Sequence, residues 1–277
     1  MNMLSSVMKR LRLWRPRIAP AGFAPGKAAS PLLDALPEAD LGLLNKLLPW
    51  HAFVVDGKGR RFGDVAWAGK RIEPQVIPDP RIQLLDQRFG LAGKRVLEIG
   101  CFEGVHTIGL CRTGADVIAV DSRIENVAKT LVRCAMFDCW PRAYVQDIEH
   151  IPTDAALLGA DICHHVGVLY HLRDPVGHLL DLGRYVGEGV MLDTHVARPE
   201  QLNASYEAGG RTWRYYRYGE HSRADPFAGM YDHAKWLPLD ELEALLALAG
   251  YPRIEVAERR DERNGLRVLI FARRSGG

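Results

Sequence analysis

Short apolar runs alternate with helical patterns from residue 95 onward. They read RVLEIG at 95–100, then a helix from about 104; DVIAVD at 116–121, then a helix through 135; and RAYVQD at 142–147. DICHHVGVLY at 161–170 follows, then a helix around 174–186 and GVMLDTH at 189–195. Strand and helix in such alternation predict an α/β fold, a parallel sheet with helices on both faces. The chain ends differently. WLPLDELEALLALAGY predicts a helix with Pro238 near its first turn and Gly250 at its C′ position. RIEVAERR and LRVLIFARR follow, joined through Asn264-Gly265, a hairpin signal. A terminal antiparallel hairpin after five parallel strands is not how the usual dinucleotide dehydrogenase ends.

Upstream, eight leucines between 32 and 48 follow a helical period broken at Pro37. Residues 50–80 lack periodicity and hold Trp50, Trp67 and several basic side chains, which predicts an irregular segment lying against the domain. Residues 1–31 are basic and rich in Ala, Pro and Gly. The expected organisation is a flexible leader (1–31), a helical and irregular extension (32–94) and one domain (95–277) with an insertion, a candidate lid, at 197–236.

Composition narrows the class. With 47% hydrophobic and 25% charged residues, the chain of 277 residues suits a folded domain in water. A net charge of +2 announces no nucleic-acid partner, yet Lys9, Arg10, Arg12, Arg15, Arg17 and Lys27 fall in a leader without acids. No apolar stretch there reaches the length of a signal sequence or membrane span, so a cytoplasmic protein without a membrane span is expected. The five cysteines form no CxxC pair and no zinc spacing with histidine, so reduced thiols and no metal are expected.

The chemistry concentrates at strand ends. Val96 to Gly104 is a buried strand entering a tight turn that opens a helix. Glycine at 100 allows backbone to approach a ligand, and glycine at 104 lets the helix start near the strand. The middle glycine of a dinucleotide fingerprint is replaced by Phe102. Glu98, Gly100, Cys101, Phe102 and Gly104 are thus one wall of a cofactor site. Asp121, at the end of the second strand and beside Ser122, is placed to accept ribose hydroxyls. Asp147 can accept from an adenine amino group while Ile148 packs on the base, although an aspartate there also suits a helix cap. His165 and Val166 close the fourth strand.

That strand leads into Gly167-Val168-Leu169-Tyr170-His171, then Arg173, Pro175 and His178-Leu179. With Leu48-Pro49-Trp50 and Ile148-Glu149, this run resembles the tRNA wobble-uridine carboxymethyltransferase family and its bacterial relatives, over roughly residues 47–190. The terminal hairpin resembles the class I methyltransferases in the same way. The resemblance implies a doubly wound, seven-stranded, mostly parallel Rossmann-like sheet and S-adenosyl-L-methionine as cofactor. Carboxymethyl-transferring members carry a lysine just after the Pro-Trp pair and an arginine in a long C-terminal segment, to hold the extra carboxylate. Here His51 and Ala52 follow Trp50, which favours ordinary methyl transfer; Trp67, Lys70 and Arg71 are the residues that would compensate.

An oxygen or nitrogen acceptor must lose a proton, and His195, Tyr170 and His171 are the catalytic candidates near the strand ends. His164 and His165 point to opposite faces of one strand, so at most one can face the cofactor. His171 could instead hold the loop before the next helix. The insertion interleaves Tyr206, Trp213, Tyr215, Tyr216, Tyr218, Phe227, Tyr231 and Trp236 with Arg211, Arg214, Arg217 and Arg223. They suit either an acceptor lid or a small core of their own. Three functions stay open: O-methylation of a small-molecule or glycan acceptor, tRNA wobble-uridine modification, and a non-catalytic cofactor-binding regulatory subunit. Oligomeric state is not legible.

Overall fold

The computed structural model describes residues 30–63, 73–151 and 156–276. Trp67, Lys70, Arg71 and nearly all of the basic leader lie outside the described residues. Two helices come first, α1 (Pro31–Ala35) and α2 (Glu38–Leu47), divided where Pro37 becomes the N-cap of the second. A two-residue hairpin follows, β1 (Val54–Val55) with β2 (Arg61–Phe62). Next comes α3 (Pro80–Phe89), which starts on Asp79 accepting from the Arg81 N–H and stops at left-handed Gly90. Cap, N1 proline and terminal glycine were all present in the sequence at 79–90, a helix the reading above did not draw.

The alternation then runs as expected. It comprises β3 (Arg95–Ile99), α4 (Val105–Arg112), β4 (Asp116–Asp121), α5 (Ile124–Met136), β5 (Arg142–Val145), β6 (Ala160–Val166), α6 (Pro175–Tyr185) and β7 (Val186–His195). The insertion folds as an antiparallel sheet of β8 (Ala204–Ala208), β9 (Arg211–Gly219) and β10 (His233–Trp236), with β9 central. It gives way to α7 (Leu239–Leu248), capped by Pro238, and to the hairpin β11 (Arg253–Glu262) and β12 (Gly265–Arg273). Arg263-Asn264 make the turn and Gly265 already pairs with Glu262, one residue off the expected position.

The large sheet has seven strands in the order β11-β12-β7-β6-β3-β4-β5. β3 to β7 are parallel to their neighbours, whereas β12 is antiparallel to both β7 and β11. From β3 the chain winds out to β5, then crosses back to β6 on the other side. Crossovers leave the sheet in opposite directions there, and the gap past the carboxyl ends of β3 and β6 is where such sheets bind ligands.

Each face buries its own core. Leu97, Ile99, Ile118, Val120 and Cys163 pack against α6 and α7; Val96, Val117, Ala119 and Ile162 pack against α3 and α4. Leu33, Leu41, Trp50 and Phe62 of the N-terminal extension form a third core with Val105, Ile108 and Cys134, on the outside of α4 and α5. Burial of such large side chains contributes roughly 1.5–3 kcal/mol each. The extension is therefore part of the domain. It closes one flank of the cofactor turn.

Candidate active site

A cleft of about 940 Å³ opens past the strand ends. At the end of β3 the backbone turns through Gly100 at φ 75°, where a Cβ would stand 2.3 Å from Val168 Cγ2. Phe102 also takes a positive φ, of 49°, an uncommon state for a residue with a side chain. Asp121 holds it there: Oδ2 accepts from the Phe102 N–H at 3.0 Å, and Oδ1 accepts from Arg123 N–H and Asn126 Nδ2 at 2.9 and 3.1 Å. Burial raises the Asp121 carboxyl above its ordinary value, against these donors. Glu98 lies deeper, 1% exposed, and accepts from Thr107 Oγ1 at 2.6 Å. Burial pushes it up to about 8, with the Asp121 charge adding to the shift.

The turn is braced from outside by Glu103, which accepts from the His51 and Ala52 N–H groups and from Lys129 Nζ at 2.9 Å. Burial alone would raise Glu103; His51, Arg133 and Lys129 hold it below the ordinary glutamate range. His51 thus spends its contacts on the turn: its Nδ1 is 3.1 Å from Glu103 Oε1. After β5, Asp147 accepts from Glu149 N–H and pairs with His150, so it caps its own turn and also lines the cleft beside Ile148.

The other end of the cleft is built from distant pieces. Asp193, at the end of β7 and fully buried, takes Arg81 Nη1 at 2.9 Å, Arg260 Nη2 at 3.0 Å and Arg267 Nε. Burial would raise Asp193, but Arg267 and Arg81 keep it ionised below the usual range. Tyr170 lies with Arg267 above its ring at 5.4 Å, and burial pushes its hydroxyl up while that guanidinium opposes. His171 Nδ1 is 2.8 Å from Glu220 Oε1, whose other oxygen accepts from Gly229 N–H. The guanidinium of Arg123 donates to the carbonyls of Ser222, Arg223, Asp225 and Ala228. These bonds dock residues 220–230 over the cleft, with the Phe227 ring 5.5 Å from Phe102 and 5.9 Å from His51.

Most expected residues meet here: Glu98, Gly100, Cys101, Phe102, Asp121, Ser122, Asp147, Ile148, Val166, Tyr170 and His171 all line the cleft. Three are elsewhere. Gly104 caps α4 and lets Thr130 approach, since a Cβ would stand 3.0 Å from its Cα. His165 faces the opposite core, its Nε2 2.9 Å from His178 Nε2, because alternation along β6 sends it toward α6. Burial depresses both imidazoles, His178 to about 4. His195 is sealed behind Tyr170 and stacks on Trp236 at 4.9 Å and 9°. Burial and Arg267 lower its basicity.

The insertion is divided as well. Trp213 and Tyr215 are buried on the α6–α7 core, and Arg214 pairs with Glu241 at 2.7 Å, so β8 and β9 pack while 220–230 overhangs. The sequence reading missed Arg81, His106, Arg123, Arg260 and Arg267, which the cleft and not their spacing brings together, and Glu220, which pairs with His171.

The strand order, the turn at Gly100 and the acid ending β4 define a class I S-adenosylmethionine-dependent methyltransferase. The residues fit that cofactor: Gly100 clears the approach, Asp121 offers a carboxylate and Ile148 an apolar contact. A family model described as a methyltransferase domain matches residues 71–256, and the chain belongs to that family. It is 30% identical over 168 residues to a tRNA U34 carboxymethyltransferase of Methylococcus capsulatus, covering 57% of this chain and 46% of that one. It is 31% identical over 145 residues to the same enzyme of Ectopseudomonas mendocina, covering 50% and 40%. The chain thus spans about half the length of these curated relatives. Among solved structures, the N-terminal domain of EvdMO1 in the presence of SAH and D-fucose matches with TM-score 0.64 and 26% identity, over 86% of this chain and 96% of that one. Magnesium protoporphyrin IX methyltransferase from Synechocystis PCC 6803, with bound SAM, shares the fold at TM-score 0.51 and 16% identity, over 71% and 77%. S-adenosylmethionine is the cofactor.

Proposed function

We propose that the chain methylates a hydroxyl of a small molecule or glycan, with His171 as general base. The observation that carries the reading is His171, which lines the cleft next to Tyr170 and is paired with Glu220 from behind. With Glu220 accepting from Nδ1, the tautomer that presents Nε2 as a proton acceptor is favoured. S-adenosylmethionine supplies a methyl group made electrophilic by its sulfonium. With the cofactor bound, His171 Nε2 would take the proton of the acceptor hydroxyl as its oxygen is methylated. Tyr170 and Phe227 wall the cleft against water. The relative whose structure was determined with D-fucose supports a sugar-like acceptor, and five free thiols accord with a cytoplasmic setting.

A second reading, carboxymethyl transfer to tRNA, is favoured by the curated relatives and by three arginines at the acceptor end. Against it, Asp193, Asp79, Glu258 and Glu262 already pair with those arginines. His51, at the place of the family's lysine, is engaged with Glu103.

Labelled S-adenosylmethionine incubated with total tRNA, cell-envelope glycans and metabolite extract separates the two. Label is expected in glycan or metabolite fractions. In His171→Ala, kcat should fall about 100-fold or more while cofactor affinity is kept, and Glu220→Gln should fall partway. Label confined to tRNA, or tighter binding of the carboxylated cofactor than of S-adenosylmethionine, overturns the proposal.

A further inference from the structure

Three side chains outside the acceptor machinery meet where β3, β6 and α4 come together. Glu98 and His164 are in register on adjacent parallel strands and project to the same face. His106 stands across from them on α4, its ring 5.1 Å from that of His164 at 86°. One ligand atom from each, a carboxylate oxygen and two imidazole nitrogens, lies within 4.8 Å of the others. Glu98 and His164 are both 1% exposed, and neither ring nitrogen of His164 has a hydrogen-bond partner among the described residues. A buried imidazole with both nitrogens unanswered is rare, because its lone pair and its N–H each lose water for nothing. Beside it is a carboxyl whose one hydrogen-bond partner among the described residues is Thr107 Oγ1.

We propose that Glu98, His106 and His164 form a binding site for a divalent transition ion, zinc being the best match. Two imidazoles and one carboxylate are a borderline donor set that suits zinc and its neighbours in the first transition row, not magnesium or calcium. An ion there answers both anomalies at once: it takes the orphaned lone pair of His164 and gives the buried Glu98 carboxyl a second partner. The tetrahedral edge of a zinc site is about 3.3 Å, so modest side-chain rotations close the cluster. Asp79 Oδ2 lies 3.3 Å from His106 Nε2, the carboxylate contact that steadies metal-bound imidazoles. Arg81 is also 3.3 Å from that nitrogen, but its charge is met by Asp79 and Asp193. Glu98 and His106 line the cleft whereas His164 lies behind it, so the remaining coordination position faces the cleft. No spacing of these residues in the sequence resembles a zinc motif. The site exists only through strand register.

The site goes beyond the methyl-transfer reading, and its test needs neither acceptor nor turnover. The full chain, treated with chelator and dialysed, is titrated with Zn²⁺ by calorimetry and with Co²⁺ by visible absorption. One equivalent of zinc and the intense d–d bands of four-coordinate cobalt are expected. Both should weaken at least about tenfold in His164→Leu. His106→Ala, at the cleft wall, gives a second reading should the core substitution disturb folding; circular dichroism checks each variant. Zinc binding that is absent, or equal in the parent and both folded variants, overturns the site. S-adenosylmethionine affinity measured on the same zinc-free samples shows separately whether the cofactor pocket stands.

Discussion

The two ends of the cleft are made in different ways. At the cofactor end, Asp121 is served by Phe102, Arg123 and Asn126, all within 19 positions of it in the chain. At the acceptor end, Asp193 draws Arg81 from 112 positions upstream and Arg267 from 74 downstream, and His171 reaches Glu220 across 49. One end is a local turn between a strand and a helix. The other is assembled only once the hairpin, the insertion and the N-terminal extension have docked. A local site has one way to form, while an assembled one can be altered by any of the elements that meet in it, and so can change acceptor without disturbing the cofactor.

Asp193→Asn tests the assembled end, and it is expected to have the largest effect. It leaves the guanidinium groups of Arg81, Arg260 and Arg267 facing a neutral amide in a buried position. Removing one partner of a buried ion cluster costs about 3 kcal/mol, with some relief because Asp79, Glu258 and Glu262 remain. Chemical denaturation should show that loss, together with turnover falling further than cofactor affinity. A variant as stable as the parent would mean that the acceptor end does not depend on this carboxylate.

Asp121→Ala tests the local end. It removes the carboxylate expected to accept ribose hydroxyls as well as the bond that holds Phe102 in its left-handed conformation. S-adenosylmethionine affinity should fall by about 1.5–3 kcal/mol, roughly 10- to 150-fold by calorimetry, with a smaller loss of stability than in Asp193→Asn. Unchanged affinity would move the cofactor elsewhere and dissolve the contrast between the two ends.

The same contrast explains what was legible before folding. Glu98, Gly100, Asp121 and Asp147 declare themselves because each lies at or just past the end of a strand, and those ends are written in local apolar periodicity. Tyr170 and His171, which line the cleft, stood out through a resemblance in one short run. Arg81, Arg260 and Arg267 carry no local signal; an arginine on an amphipathic helix or an edge hairpin looks solvated until its partner arrives from another element. His165 and His195 misled for a related reason. A histidine near a strand end was read as facing the ligand, yet alternation turned His165 toward His178, and Tyr170 and Trp236 enclosed His195. The helix at 80–89 and the β8–β9 hairpin, with Gly209-Gly210 between its strands, were written locally and went unread.

The insertion offers the finest test, because its two parts belong to different ends of the argument. Arg214 stands among aromatics in the sequence and looks like an acceptor contact. In the fold its backbone N–H and its Nε both bond to Glu241 of α7, at 2.9 and 2.7 Å, on the side away from the cleft. Arg214→Ala removes an ion pair whose arginine is 57% exposed, and such pairs contribute little because water screens them and the long side chain loses freedom in forming them. Glu241 keeps the backbone N–H of residue 214, so no buried carboxylate is stranded. The acceptor KM and kcat should therefore stay within about twofold of the parent, with at most a small fall in melting temperature. Phe227→Ala, in the same insertion but over the cleft against Phe102 and His51, should raise the acceptor KM several times more than that. If Arg214→Ala raised KM as much as Phe227→Ala, then β9 would reach the acceptor too, and the division of the insertion into a packed part and an overhanging part would fail.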